Sequence, residues 1–104
     1  MIVEQRTYTL HPGRLPQFLE LVERQGLAIQ TPVLGEPLGY FTVEIGELNQ
    51  AVHLWGFADL ADRDSRRSRL AALPQWQQFA PLVLPLIQRM RSQILKPTAF
   101  SAIL

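Results

Sequence analysis

Residues 38–57, LGYFTVEIGELNQAVHLWGF, decide the fold. Both halves are rich in β-branched and aromatic residues, and Gly46-Glu47-Leu48-Asn49 between them is turn-forming, so the segment reads as a β-hairpin. Whether the loop is Glu47-Leu48 or the four residues from Gly46 to Asn49, opposed residues carry numbers that sum to 95, so the two faces do not depend on the loop. Val43 then meets Val52 and Phe41 meets Leu54 on a plain aliphatic face, expected to be core. On the other face Leu38 opposes Phe57, Tyr40 opposes Trp55, Thr42 opposes His53 and Glu44 opposes Ala51. That mixture of aromatic and polar groups suits neither bulk solvent nor a dry interior.

Working outward, residues 2–10 form a β-rich run stopped by His11-Pro12-Gly13, a first strand. From Arg14 the period becomes helical, with Leu15, Phe18, Leu19, Val22, Gly26 and Ile29 on one face. Pro16 sits in the first turn, where its missing N–H costs nothing, and the helix is expected to end before Pro32, with residues 31–37 as a loop. Beyond the hairpin, Asp59 is a candidate N-cap with Asp62 three residues on, opening a helix to about Leu73. Pro74 restarts the chain into a short helical piece over residues 75–80, kept short by Pro81 and Pro85. Residues 86–96 alternate and read as a fourth strand, and residues 97–104 as an extended tail.

The order β-α-β-β-α-β is the split βαβ arrangement, an α+β ferredoxin-like sandwich in which both helices cover one face of a four-stranded antiparallel sheet. The expectation is that the aromatic face, with Tyr40, Trp55 and Phe57, lies on the uncovered side. A bare face of that kind calls for a partner, and a two-fold homodimer with sheet against sheet, enclosing a barrel-like cavity, is the economical one.

Composition narrows the function classes. The chain has 104 residues, expected to form one domain over 1–104. Ten basic and nine acidic residues leave a net charge of +1, too little for a nucleic-acid-tracking surface. No cysteine is present, which excludes disulfides, thiolate nucleophiles and thiolate metal sites and suits a reducing cytoplasm. The longest apolar stretch, residues 82–87, is interrupted by Pro85 and is far short of the roughly 20 residues of a membrane span, so a soluble cytoplasmic protein is expected. Neither a GxSxG elbow, a phosphate loop nor a dinucleotide fingerprint occurs, and the only histidines are His11 and His53, too few for a catalytic zinc site.

Four motifs, RTYTLHPG at 6–13, EIGELNQ at 44–50, His53-Leu54-Trp55 leading to Asp59 and Arg63, and ILKPTAFS at 94–101, together resemble the NIPSNAP family over nearly the whole chain. The resemblance implies a ferredoxin-like subunit of the dimeric α/β barrel superfamily and adds little chemistry. His11 departs from the lysine that relatives usually place before Pro-Gly. The mitochondrial and vesicle-traffic associations of animal members are not carried over. Other branches of the superfamily include cofactor-free monooxygenases and haem-degrading or haem-binding proteins, a likeness of fold only.

His53 is the leading candidate for chemistry. The hairpin register puts it on the face of Tyr40 and Trp55 with Glu44 diagonal to it, where a carboxylate can raise its basicity and make it a general base, or its nitrogen can take a haem iron. The plainer alternative is a histidine hydrogen-bonded inside an interface. Tyr40 and Trp55 can wall a pocket for a planar ligand, or simply anchor an interface. Arg6 and Tyr8 share one parity of the first strand, where Arg6 can hold a carboxylate; a pair with Glu4 or Glu44 is the blander outcome. Arg63, Arg66, Arg67 and Arg69 read as a solvated helix face partly paired with Asp59, Asp62 and Asp64, with Arg63 tied to the sheet.

The candidate ligand-binding set is therefore Arg6, Tyr8, Tyr40, Glu44, His53 and Trp55, with His53 as the catalytic candidate, no metal and no cofactor identified. The first reading is a homodimer that binds a small hydrophobic or planar ligand in the inter-sheet cavity. The second is an enzyme, a cofactor-independent monooxygenase or a haem-modifying oxygenase; the third is a protein-interaction module with the same face packed solid. Ligand binding requires roughly 300 Å³ or more beside His53, and the interaction module requires none.

Overall fold

In a computed structural model, which describes residues 1–103, four strands form one antiparallel sheet in the order β2-β3-β1-β4. They are β1 (Ile2–Leu10), β2 (Gly39–Thr42), β3 (Gln50–Phe57) and β4 (Ile87–Leu95). The helices are α1 (Leu15–Leu21) and α2 (Leu27–Leu34), joined by a π-helical turn over Val22–Gly26, then α3 (Leu60–Ala72) and α4 (Pro74–Val83), which a 3₁₀ turn over Leu84–Leu86 links to β4. This is the ferredoxin-like α+β layout expected from the sequence.

The π turn follows from the spacing of the buried residues. Phe18, Val22, Gly26, Gln30 and Leu34 all point to the sheet, four residues apart each time. At about 3.6 residues per turn such a stripe drifts around the helix, and one wider turn brings it back into phase. The same phase correction puts Gln30 on the sheet side and carries the helix through Pro32 to Leu34, past the expected end. Leu34 is buried in a core with Trp55, Phe57 and Leu70, and Gly35 at φ +86° ends the helix one residue later. The expected loop over 31–37 therefore shrinks to its second half. α4 likewise runs beyond Ala80, since Phe79 and Val83 both pack into the other core with Leu10, Phe18 and Leu86. At the start of α3, Asp59 Oδ1 accepts from the Asp62 N–H at 2.8 Å and Asp62 Oδ2 accepts from the Ala58 N–H at 3.0 Å, a reciprocal cap.

Two hairpin expectations are corrected. The register is shifted by two residues, so that Tyr40 faces His53 and Phe41 faces Val52, because β2 stops at Thr42 and residues 43–49 form a wide loop with positive φ at Gly46 and Asn49. A shift of two preserves parity, so the residues on each face are those predicted. The faces themselves are exchanged. Ala51, His53, Trp55 and Phe57 lie buried beneath the helices, and Phe41, Val52 and Leu54 lie on the other side. Trp55 and Phe57 pack on Leu34 of α2 and Leu70 of α3, burying more apolar area than Val52 and Leu54 would offer. No inter-sheet cavity can be lined by Tyr40, His53 and Trp55.

Candidate functional site

The strand registers build the site row by row on the helix-covered face. Tyr40, His53, Arg6 and Ser92 stand side by side across β2, β3, β1 and β4. On one side of that row lie Ala51, Tyr8 and Met90, and on the other Trp55, Glu4 and Ile94. The parity of β1 left open by the sequence is thereby fixed: Glu4, Arg6 and Tyr8 face the helices.

Glu4 is the hub of this face. Fully buried, it accepts from Arg67 Nε and Nη2 on Oε1 at 3.1 and 2.8 Å, and on Oε2 from Arg63 at 2.8 Å, Arg6 at 3.1 Å and Ser92 at 2.7 Å. Burial works against ionisation, but the hydrogen bonds from Arg63 and Ser92 and the charge of Arg67 outweigh it and bring the carboxyl down to about 2. Two of the four arginines read as a solvated face thus turn inward, and Arg63 is tied to the sheet as expected. Arg66 pairs with Asp62 at 2.8 Å and donates to the Val33 carbonyl, fastening α3 to α2. Arg6 pairs with Glu4, the blander of its expected outcomes, and donates Nε–H to the Tyr8 hydroxyl at 2.8 Å. Its Nη2 has no protein partner among the described residues.

Next to this charge cluster lies a cavity of about 70 Å³ between the sheet and the helices. Arg6, Tyr8, His53 and Gln30 line it together with apolar residues that include Phe18, Phe79 and Val83. His53 is only 2% exposed, and neither ring nitrogen has a hydrogen-bond partner among the described residues. Its ring is held by aromatic packing: centroids lie 3.9 Å from Tyr40, 4.9 Å from Tyr8 and 6.0 Å from Phe18. Burial, with the charges of Arg6 and Arg67, lowers its pKa to about 3, so the imidazole is neutral near pH 7. That reverses the basicity expected from Glu44, which the register shift leaves exposed in the wide loop.

The structure thus brings together Arg6, Tyr8, Tyr40 and His53 and separates Glu44 from them. Tyr40 packs against His53 with its ring tilted by 57° and donates its hydroxyl to Gln30 Oε1 at 3.2 Å. Trp55 is sealed in the second core, edge-on to Tyr40 and 6.0 Å beneath the Arg67 guanidinium, and does not line the cavity. Sequence reasoning names Glu4 only as one possible partner of Arg6 and does not single out Gln30 or Phe79 as site residues. Gln30 is the one with a signal, a polar residue four positions beyond Gly26 on the buried stripe. No group of three or more metal-ligating side chains occurs among the described residues. Nor does a porphyrin fit: the cavity is several times smaller than the roughly 300–1,000 Å³ of ordinary ligand pockets.

The NIPSNAP family profile matches residues 3–102. The human protein NipSnap homolog 3A is 36% identical over 93 residues, which are 88% of this chain and 37% of that protein. The chain spans about a third of the length of most curated relatives it matches. Among solved structures, a NIPSNAP family protein from Agrobacterium tumefaciens superposes with a TM-score of 0.97 at 45% identity, covering 100% of this chain and 94% of that one. A NIPSNAP-like domain protein from Burkholderia xenovorans gives 0.93 at 50% identity, covering 96% and 87%. The structure of an antibiotic biosynthesis monooxygenase gives 0.64 at 16% identity, covering 94% and 99%, a likeness of fold alone.

Proposed function

Because the chain belongs to the NIPSNAP family, whose solved members share this fold closely, we propose that it binds a small, largely apolar molecule in the cavity between sheet and helices. One observation carries the reading: His53, a buried imidazole whose two nitrogens have no hydrogen-bond partner among the described residues, is part of the wall of a largely apolar cavity. A buried polar group without a partner costs about 1–3 kcal/mol, and a ligand that hydrogen-bonds it recovers that cost. By the roughly 10–15 Å³ that one water needs, the space takes on the order of five waters or a compact organic molecule. The expected volume of roughly 300 Å³ or more beside His53 is not met, so the expectation of a large planar ligand is corrected and the reading is restricted to a small one. A packed interaction face is disfavoured by the same cavity. A general-base role is disfavoured by the low pKa of His53, far from the operating pH that proton abstraction needs.

The test is a titration with uncharged probes of graded size, phenol, cyclohexanol and indole, followed by NMR of the His53 ring and of the Phe18 and Phe79 side chains. Saturable shifts confined to these groups are expected from at least the smaller probes. No shift from any of these probes, nor from small carboxylic acids and their amides, overturns the reading.

We also propose that two copies pair through the sheet face turned away from the helices, where Phe41 is 56% exposed and Val52 and Leu54 lie beside it. Light scattering at micromolar concentration should give twice the chain mass; a monomer there rules it out.

A further inference from the structure

We infer that the cavity selects small organic anions, monocarboxylic acids in particular, with the carboxylate on Arg6 and Tyr8 and the apolar body among Phe18, Phe79 and Val83. The inference rests on the cavity being a ligand site and adds the class of ligand.

Charge is the first argument. Three guanidiniums, those of Arg6, Arg63 and Arg67, converge on the carboxylate of Glu4, and Arg63 also pairs with Asp64 at 3.0 Å, which leaves one positive charge in surplus. That carboxylate already accepts five hydrogen bonds, more than its roughly four lone-pair sites, so it has no room for the remaining N–H donors of Arg6. The surplus positive charge sits in a partly dry site, where an opposite charge is worth more than in water. Donor accounting is the second. Arg63 and Arg67 point their charge at Glu4 and do not line the cavity, whereas Arg6 does. Its side chain is 19% exposed, and its Nη2 group is unspent among the described residues. The Tyr8 hydroxyl accepts from Arg6 Nε, which leaves its own proton free to donate. Arg6 and Tyr8 therefore offer adjacent N–H and O–H donors to one anion, the charge-assisted arrangement that carboxylates favour. His53 does not compete, being neutral, and is left to meet a hydroxyl or carbonyl elsewhere on the ligand. The apolar walls require an organic body, so an inorganic anion satisfies only half of the site.

The experiment compares acids with their primary amides on the intact protein, propanoate with propanamide and benzoate with benzamide, with inorganic phosphate as a further probe. Calorimetry gives affinity, and NMR of the His53 ring places the binding. The inference predicts that each acid binds at least tenfold more tightly than its amide, that phosphate is weaker than either acid, and that Arg6→Gln abolishes the preference while Arg6→Lys keeps part of it. The wild-type comparison stands even if an Arg6 variant folds poorly. Amides that bind as tightly as acids overturn the anion selectivity and leave the ligand site standing. An acid preference that survives Arg6→Gln in a folded variant overturns the assignment to Arg6. Failure of acids, amides and uncharged probes alike removes the ligand site itself.

Discussion

Tyr40 and His53 face each other across β2 and β3 with ring centroids 3.9 Å apart, and this packing orients the imidazole without using either of its nitrogens. An imidazole positioned by a hydrogen bond has one nitrogen committed. Here neither is committed among the described residues, and the Tyr40 hydroxyl is engaged with Gln30 instead.

Glu4 is the keystone of the charge cluster. Glu4→Gln removes the only carboxylate among the described residues that Arg6 and Arg67 share and leaves their charges uncompensated at low exposure. Loss of one partner of a buried ion network costs about 3–5 kcal/mol, which urea unfolding should read as a marked fall in midpoint. A change below about 1 kcal/mol would show that the network carries little of the fold.

Acid should weaken the protein in two stages. His53 has its pKa lowered from 6.5 to about 3, so in that window the unfolded chain binds a proton that the folded chain refuses. Its contribution is complete above 6.5 and is lost as pH falls, by up to about 1.4 kcal/mol per pH unit. Glu4, lowered from 4.5 to about 2, adds a second loss over that lower window. Denaturation between pH 7 and pH 4.5 checks the first stage: His53→Leu should flatten the slope, and an unchanged slope would contradict a buried neutral imidazole.

Gly26 sets the cavity wall. A Cβ there would lie 3.0 Å from Phe79 Cζ, and the Phe79 ring can yield only by moving, with the cavity it lines as the nearest free space. Gly26→Ala is expected to lower probe affinity several-fold while stability stays within about 1 kcal/mol, since the alanine's better helix propensity offsets the crowding. Calorimetry with benzoate or phenol checks it; unchanged affinity would mean that the ring moves elsewhere.

Asp59→Ala removes the cap of α3 and should cost about 1 kcal/mol in thermal or urea unfolding. Because α3 delivers Arg63 and Arg67 to Glu4, the loss is expected to be no smaller than that.

Much of this was legible in the sequence. The element order, the Asp59 cap and the parity of residues on each hairpin face follow from local chemistry, and parity survived a two-residue register shift because strands repeat every two residues. The choice of face was not legible. Val43, Val52, Phe41 and Leu54 look more like core than Tyr40, His53 and Trp55, and only the side chains of α2 and α3, Leu34 and Leu70, decide which set is covered. The role of Glu4 beyond its pair with Arg6 was not legible for a similar reason: its partners Arg63, Arg67 and Ser92 are 59 to 88 residues away in the chain. Gln30 was hidden by the π turn, which no helical period of 3.6 anticipates.

The most direct test of the account is to measure stability and probe binding together in His53→Leu. If the imidazole is kept for a ligand, replacing it by an apolar side chain removes an unpartnered polar group, so the variant should be as stable as the parent at pH 7 or more stable by about 1–2 kcal/mol, and it should lose affinity for phenol and benzoate. A variant that is clearly destabilised yet binds both probes as before would make His53 a packing residue and contradict the site.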